Sequence, residues 1–353
     1  MLLTQLAKGR DNNFNLIRFI AASLVLISHS YPIAMGNGFP EPLSNSLGTS
    51  WGSIAVDIFF IASGFFIAAS FSLKSSFKSF LMARILRIYP ALIITTLLTV
   101  FVLGPIFSSL ALVEYFTQGQ TYQYLVKNIT LITGVEYYLP GVFTDNPYKQ
   151  AVNGSLWTLP YEIKMYFLLV IFCSLFTYLK TKLNIPWALD KTLFISLTVI
   201  ALILHLTNHS CNFYDGQSLK LFTMFFMGSS FYFLQDKIQV NSKTGILLIS
   251  ILAISTIDKD AFFFAYSLSL AYIVFYLAYI PAGRIREFNR FGDYSYGIYI
   301  YAFPVQQMVA ACIPGISIFG MISLSFIGTF LMAYLSWKLI EERALKLKPR
   351  FKN

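Results

Sequence analysis

The chain has 353 residues, of which 56% are hydrophobic and only 12% are charged, and its formal net charge is +10. Charged residues make up about a quarter of a typical soluble domain. This composition therefore excludes a soluble globular enzyme, and it also excludes a disordered chain. It predicts an all-α polytopic membrane helix bundle. The positive charge then marks loops on the cytoplasmic side rather than a site for nucleic acid.

Apolar runs of about 20 residues are long enough to cross the hydrocarbon core of a bilayer as helices. About ten such runs occur, and most Lys and Arg residues lie in the termini and in every second loop between the runs. That bias predicts both termini in the cytoplasm. A half-apolar stretch at 122–143 is too polar for a span and is predicted to be an outer-face or re-entrant segment. The predicted spans are 14–33, 53–73, 88–109, 156–179, 192–207, 219–234, 244–257, 261–280, 294–312 and 316–339.

Ionisable side chains inside spans are candidates for function, because burying them in a membrane is costly. Arg18 and His29 lie 11 residues apart in the first span. This spacing is three helical turns plus about 20°, so both residues line one face with a rise of roughly 16 Å between them. Near the outer end, His29 can serve as a general base at neutral pH. A polar residue that is simply hydrogen-bonded within the bundle is the alternative.

Two carboxylates enter the membrane from the predicted outer side, Asp57 in the second span and Glu162 in the fourth. Asp57 is expected at the depth of His29, where a carboxylate can orient the imidazole. A carboxylate favoured by the dipole at a helix N-terminus is the alternative. Glu162 is a second acid–base candidate, and an ion pair with Lys164 or a neighbouring helix is its alternative.

Two further groups have both a functional and a structural interpretation. Arg84 and Arg87 share a helix face at the cytoplasmic start of the third span, where paired guanidiniums suit phosphate binding or simply anchor the helix. Tyr296 and Tyr299 in the ninth span, like Trp157 at the start of the fourth, suit either a substrate-binding wall or an interfacial aromatic belt. No pattern of metal ligands accompanies these groups.

Five segments in order resemble the bacterial membrane acyltransferase family 3, whose members include O-antigen and exopolysaccharide O-acetyltransferases. FNLIRFIAASLVLISHS carries the basic residue and histidine, and VDIFFIASGFF is similar to the second-helix signature. ARILRIYPAL carries R-x-x-R with Tyr-Pro, SLWTLPYEIKMYF resembles Trp-x-Leu-x-x-Glu, and GDYSYGIYIYAFP resembles Ser-Tyr-Gly-x-Tyr. One departure is Ala302, since many members have a histidine there.

The resemblance implies a membrane O-acetyltransferase of the bacterial inner (cytoplasmic) membrane. Acetyl-CoA is the implied donor, a glycan or lipid-linked glycan the implied acceptor, and no metal is implied. Some members carry a fused extracytoplasmic esterase-like domain, whereas residues 1–353 are expected to form a single integral-membrane acyltransferase domain. The implied roles are base for His29 and donor binding for Arg18, Arg84 and Arg87. Our own assignments add Asp57 and Glu162 to catalysis, and Trp157, Tyr296 and Tyr299 to substrate binding.

A transporter is the rival class. A proton-coupled exporter of a small molecule or lipid-linked glycan could use His29, Asp57 and Glu162 as a proton relay. The paired arginines on the cytoplasmic face argue against it, as does the lack of a visible internal repeat. Acyl transfer from purified protein discriminates between the two classes, because a transporter does not consume acyl-CoA.

Overall fold

The computed structural model describes residues 1–9, 11–72, 77–183, 188–211 and 215–348. Within these ranges the chain is predominantly helical and forms no β-strand, only isolated bridges such as the one between Leu2 and Gln239. Seven helices of the described ranges are long and apolar enough to cross a membrane. These observations confirm the all-α polytopic bundle. Parts of three predicted loops, 73–76, 184–187 and 212–214, lie outside the described residues.

Every predicted span coincides with a helix. Three of these helices, each 14 to 18 residues long, are not among the seven, so the number of spans stays a prediction. The third helix continues through a π-helical turn at Thr99–Leu103 into Gly104–Phe107. The main helices are α1 (Phe14–Met35), α2 (Trp51–Ser72), α3 (Phe77–Leu98), α4 (Gly119–Thr130), α5 (Leu159–Leu183), α6 (Ala188–Cys211), α7 (Gly216–Phe233), α8 (Ser242–Ser255), α9 (Lys259–Tyr279), α10 (Ser295–Cys312) and α11 (Ile318–Ser336).

Helices α2 and α7 cross with their backbones in contact. A Cβ at Gly64 would lie 1.9 Å from the carbonyl oxygen of Phe225, and one at Gly228 would lie 2.0 Å from that of Ile61. Ser229 Oγ donates a hydrogen bond of 3.1 Å to the Gly64 carbonyl. Small residues permit such an approach between membrane helices, where close packing replaces the hydrophobic effect as the driving force.

The N-terminal segment lies at the same end of the bundle as two loops that the charge pattern assigns to the cytoplasm. The Leu3 amide donates to the Ile238 carbonyl at 2.9 Å. Asn13 Nδ2 donates to the Pro281 carbonyl at 2.8 Å. The grouping agrees with the alternation of basic loops, whereas the side of the membrane on which this end lies stays a prediction.

A segment at 144–158 runs from the opposite end into the bundle along α10. Asn146 Nδ2 donates to Gln307 Oε1 at 2.8 Å, and Asn153 Nδ2 donates to the Ile300 carbonyl at 2.9 Å. The inward segment therefore begins just after the predicted stretch 122–143, which forms most of α4 and the loop that follows it. As a consequence, α5 begins inside the bundle rather than at its surface.

Candidate active site

Five helices enclose a cavity of about 120 Å³, called the arginine cavity below. Its charged lining comes from Arg18 on α1, Arg84 and Arg87 on α3, and Glu162 on α5. The cavity thus gathers the three predicted donor-binding arginines with one predicted catalytic carboxylate. Uncharged polar lining comes from Ser63, Thr158, Tyr166, Ser295, Tyr296 and Tyr299.

Asp293, just before α10, joins two of the arginines. Its Oδ2 lies 2.7 Å from Arg18 Nη1 and 2.5 Å from Arg87 Nη2, and its Oδ1 accepts a hydrogen bond of 2.5 Å from Ser295 Oγ. Burial opposes the ionisation of Asp293, but the two guanidiniums outweigh it and hold the pKa of the carboxyl well below its usual range. Sequence reasoning missed this residue, although it stands in the GDYSYG segment. The sequence does place this carboxylate directly before the predicted span 294–312, and that position could have marked it as a candidate.

Arg84 differs from the other two arginines of the cavity. Among the residues described, no carboxylate lies within ion-pair distance of its guanidinium, and its Nε is buried without a hydrogen-bond partner. Glu162 lies in the same cavity but accepts hydrogen bonds from Tyr166 and, at 3.4 Å, from Ser63 Oγ. Arg84 is therefore the cation best placed to receive an anion from outside the protein.

Glu162 lies deeper than the outer-half position predicted for it. Its hydroxyl partner Ser63 is in the middle of α2, which runs from Trp51 to Ser72. The difference has a structural cause, because segment 144–158 enters the bundle before α5 begins. Hydropathy alone places the first residue of a span at the membrane surface, and it gives no sign of such a segment.

Asp57 is fully buried, and its carboxylate faces α7 and α9. Lys220 Nζ lies 3.2 Å from Asp57 Oδ2, and the Tyr266 hydroxyl donates to the same oxygen at 2.6 Å. Lys220 also donates to Ser53 Oγ at 2.6 Å. The structure thus places Asp57 in a buried ion pair and gives it no described contact with His29. A catalytic role for Asp57 stays a prediction, and its contacts favour a structural one.

His29 lies outside the lining of the arginine cavity, nearer the other end of α1. Its ring packs edge-on against Phe303 with 5.3 Å between centroids, and Phe303 packs in turn against Tyr148 at 5.8 Å. The Nδ1 atom of His29 is buried without a hydrogen-bond partner. Glu41, in the loop after α1, lies close enough to interact electrostatically with the imidazole.

One turn of α10 separates the two parts of the site. Tyr299 lines the arginine cavity, whereas Phe303, four residues later, contacts His29. The hydroxyls of Tyr299 and Thr158 are hydrogen-bonded at 2.6 Å, so the inward segment closes against α10 at this level. Trp157, the neighbour of Thr158, packs against the main core and does not line the arginine cavity.

The described residues contain no cluster of three or more His, Cys, Asp or Glu side chains that could hold a metal ion. At one end of the site, the arginine side chains provide positive charge where an anion can bind. An imidazole suited to proton transfer lies at the other end. Such an arrangement suits the transfer of a group from an anionic donor to a hydroxyl.

Comparison with known proteins identifies the class. The acyltransferase domain of acyltransferase family 3 matches residues 11–341. An O-acetyl transferase of Shigella phage Sf6 is 30% identical over 344 residues, which cover 95% of this chain and 96% of that protein. Nodulation protein 10 of Rhizobium leguminosarum bv. viciae is 27% identical over 380 residues, covering 97% and 95% respectively. No solved structure matches.

The chain belongs to acyltransferase family 3. It is a membrane-bound acyltransferase, because its family is one of acyltransferases and its fold is a bundle of apolar helices. This membership confirms the resemblance seen in the five sequence segments. It also favours an enzyme over the proton-coupled transporter.

Proposed function

We propose that this chain is an O-acetyltransferase of the bacterial inner membrane. It moves an acetyl group from cytoplasmic acetyl-CoA to a hydroxyl of a cell-surface glycan or lipid-linked glycan, such as lipopolysaccharide O-antigen or exopolysaccharide. The phage relative is an O-acetyl transferase by name, which supports the acetyl group. The observation that carries the proposal is the arginine cavity, in which Arg84 has no carboxylate partner among the described residues.

The donor's phosphates bind at the cationic end of the site. Guanidinium groups suit phosphates because they offer planar, bidentate hydrogen bonding and stay charged at any physiological pH. Arg84 supplies the main contact, while Arg18 and Arg87 are already held by Asp293 and add positive potential. Tyr296 and Tyr299 line the cavity toward His29, and Trp157 is a proposed substrate contact next to it.

The acyl group is transferred near His29, roughly 16 Å along α1 from Arg18. The long arm of the donor spans this distance. His29 accepts the proton of the glycan hydroxyl as the oxygen attacks the thioester carbonyl. A carbon–oxygen bond forms, the carbon–sulfur bond breaks, and the departing thiolate takes the proton from the imidazolium. General-base assistance of this kind contributes typically ~10²–10⁴-fold to the rate.

The test uses purified protein in detergent, radiolabelled acetyl-CoA and isolated lipopolysaccharide that carries an unacetylated O-antigen. We expect label in the polysaccharide with wild-type protein and about 10²–10⁴-fold slower labelling with His29→Gln. Mass spectrometry of surface polysaccharide from cells with and without the protein identifies the acceptor and its hydroxyl. Substrate export without consumption of acetyl-CoA would contradict the proposal and support the transporter.

A further inference from the structure

The loop after α1 folds back so that Glu41 meets the helix beside His29. The Ser28 hydroxyl donates a hydrogen bond to the Glu41 carboxylate. Ser28 Oγ in turn accepts a hydrogen bond of 3.0 Å from the amide of Gly52, in the first turn of α2. Amides in a helix's first turn have no partner within the helix. Two hydrogen bonds thus link the N-terminus of α2 through Ser28 to the half-buried carboxylate of Glu41.

The backbone of this loop is held in an unusual conformation. Leu43, two residues after Glu41, has φ +70°, a left-handed value that costs a branched residue about 1–2 kcal/mol. The Ser44 hydroxyl donates to the Glu41 carbonyl at 2.6 Å, which fixes the turn. Strained backbone persists where surrounding contacts over-determine it, and it is frequent at functional sites. Here those contacts hold Glu41 against α1.

His29 lacks the carboxylate partner that a catalytic imidazole ordinarily has. Asp57 is bound by Lys220 and Tyr266, and Glu162 lies in the arginine cavity. Among the described groups, Glu41 is the acid that interacts electrostatically with the imidazole, whose buried Nδ1 has no hydrogen-bond partner.

Tyr148 belongs to the same cluster. It interacts electrostatically with Glu41 and contacts Phe303, which packs against the His29 ring. One cluster at the predicted outer end of the site therefore contains Glu41, His29, Tyr148 and Phe303. This group joins the loop after α1, α1 itself, the inward segment and α10.

We propose that Glu41 is the positioning residue of His29. This inference rests on the proposed function, and it gives Glu41 the role that the sequence assigned to Asp57 or Glu162. In this assignment the Glu41 carboxylate orients the ring with the proton on Nδ1, whose hydrogen-bond partner is lacking among the described residues, and Nε2 accepts the proton of the glycan hydroxyl. As the ester bond forms and the thioester bond breaks, the carboxylate stabilises the transient imidazolium. The imidazolium then returns the proton to the departing thiolate.

The experiment compares Glu41→Gln, Glu41→Asp and a matched control, Glu114→Gln. Glu114 is an exposed glutamate on the short helix Leu112–Thr117, remote in sequence from His29. Acetyl transfer is measured with radiolabelled acetyl-CoA and isolated lipopolysaccharide carrying an unacetylated O-antigen. Thermal unfolding in detergent is measured in parallel.

We expect Glu41→Gln to lower kcat by about 10- to 100-fold, a part of the ~10²–10⁴-fold that a general base supplies. The KM for acetyl-CoA and the unfolding temperature should match those of Glu114→Gln, because Glu41 is half-buried and does not line the arginine cavity. Glu41→Asp should recover part of the lost rate. A purely structural role would instead lower the unfolding temperature and leave the Asp variant no better than Gln.

A double-mutant cycle supplies the second test. If Glu41 acts through His29, then Glu41→Gln should cause no further loss in a His29→Gln background. A wild-type kcat in Glu41→Gln, or a fully additive loss in the double variant, would overturn the inference. Both results presuppose that wild-type protein transfers acetyl groups. Failure of wild-type transfer would instead refute the proposed function itself.

Discussion

Arg84 and Arg87 are three residues apart on one helix, but their removal should have different effects. Loss of Arg84 should weaken acetyl-CoA binding, whereas loss of Arg87 should lower the stability of the fold. Arg87 Nη2 makes a contact of 2.5 Å with Asp293, whereas the described residues give Arg84 no carboxylate partner. Arg84→Ala therefore removes a charge directed at a ligand, and Arg87→Ala breaks an internal ion pair. The two substitutions delete the same side chain, so each is the control for the other.

The magnitudes follow from the contacts. Hydrogen bonds to charged groups contribute about 1.5–3 kcal/mol, so Arg84→Ala should weaken acetyl-CoA binding about 10- to 150-fold. Its free energy of unfolding should change by less than about 1 kcal/mol, because no partner is left unpaired. Arg87→Ala should cost about 1.5–3 kcal/mol of stability, since Asp293 loses one of its two described ion-pair partners and keeps Arg18. Arg84→Lys should restore binding in part, because an ammonium cannot form the bidentate fork.

Isothermal titration with acetyl-CoA and thermal unfolding of the same detergent-solubilised samples measure both effects. The pH dependence of unfolding adds a third measurement. Because the pKa of Asp293 is lowered in the folded state, its stabilisation is complete above the unfolded carboxyl pKa of about 3.9. It is lost as the pH falls toward the folded value. In Arg87→Ala, the loss of stability on acidification should be smaller. Wild-type acetyl-CoA affinity in Arg84→Ala, or equal destabilisation by both substitutions, would refute the reasoning.

Three further tests, each on a different part of the structure, use substitutions at His29, in the Asp57–Lys220 pair and at Gly228. His29→Gln should slow transfer about 10²–10⁴-fold yet keep acetyl-CoA binding, because an amide does not accept a proton in this pH range. Titration and transfer assays on one sample check both. Asp57→Asn should lower the unfolding temperature by leaving Lys220 unpaired in the bundle, and adding Lys220→Met should recover part of the loss. Gly228→Ala should reduce the folded yield in detergent, whereas Gly119→Ala, with open space around it, should not.

The helices could be predicted from the sequence because each apolar run must satisfy its own backbone hydrogen bonds in lipid. All ten predicted runs coincide with helices in the structure. The sequence also indicates which arginines come together, because each lies near the same end of its span. These are Arg18, Arg84 and Arg87. These features depend on local sequence and on the membrane, which impose the same constraint on every span.

The partners of the buried carboxylates could not be predicted in this way. The sequence predicts a shared depth for Asp57 and His29, but Gly52 is the residue of α2 that meets Ser28, so Asp57 lies five residues further along α2. The positions of residues in their spans also leave the rotation of each helix about its axis undetermined. The backbone contact of α2 with α7 turns Asp57 toward Lys220. Glu41 stands in a loop without periodicity, so nothing in the sequence directed attention to it. Its position depends on a hydrogen bond to Ser28 that only the folded loop creates.

The crossing of Gly64 and Gly228 limits how the enzyme can move. Because the two backbones are already in contact, α2 and α7 are expected to move together as one rigid unit. In the proposed mechanism the donor arm reaches His29 past the hydrogen-bonded Thr158–Tyr299 pair, whose tyrosine ring packs against Phe59 of α2. In that mechanism, we expect the movement that admits the substrate in the inward segment and α10 rather than between α2 and α7.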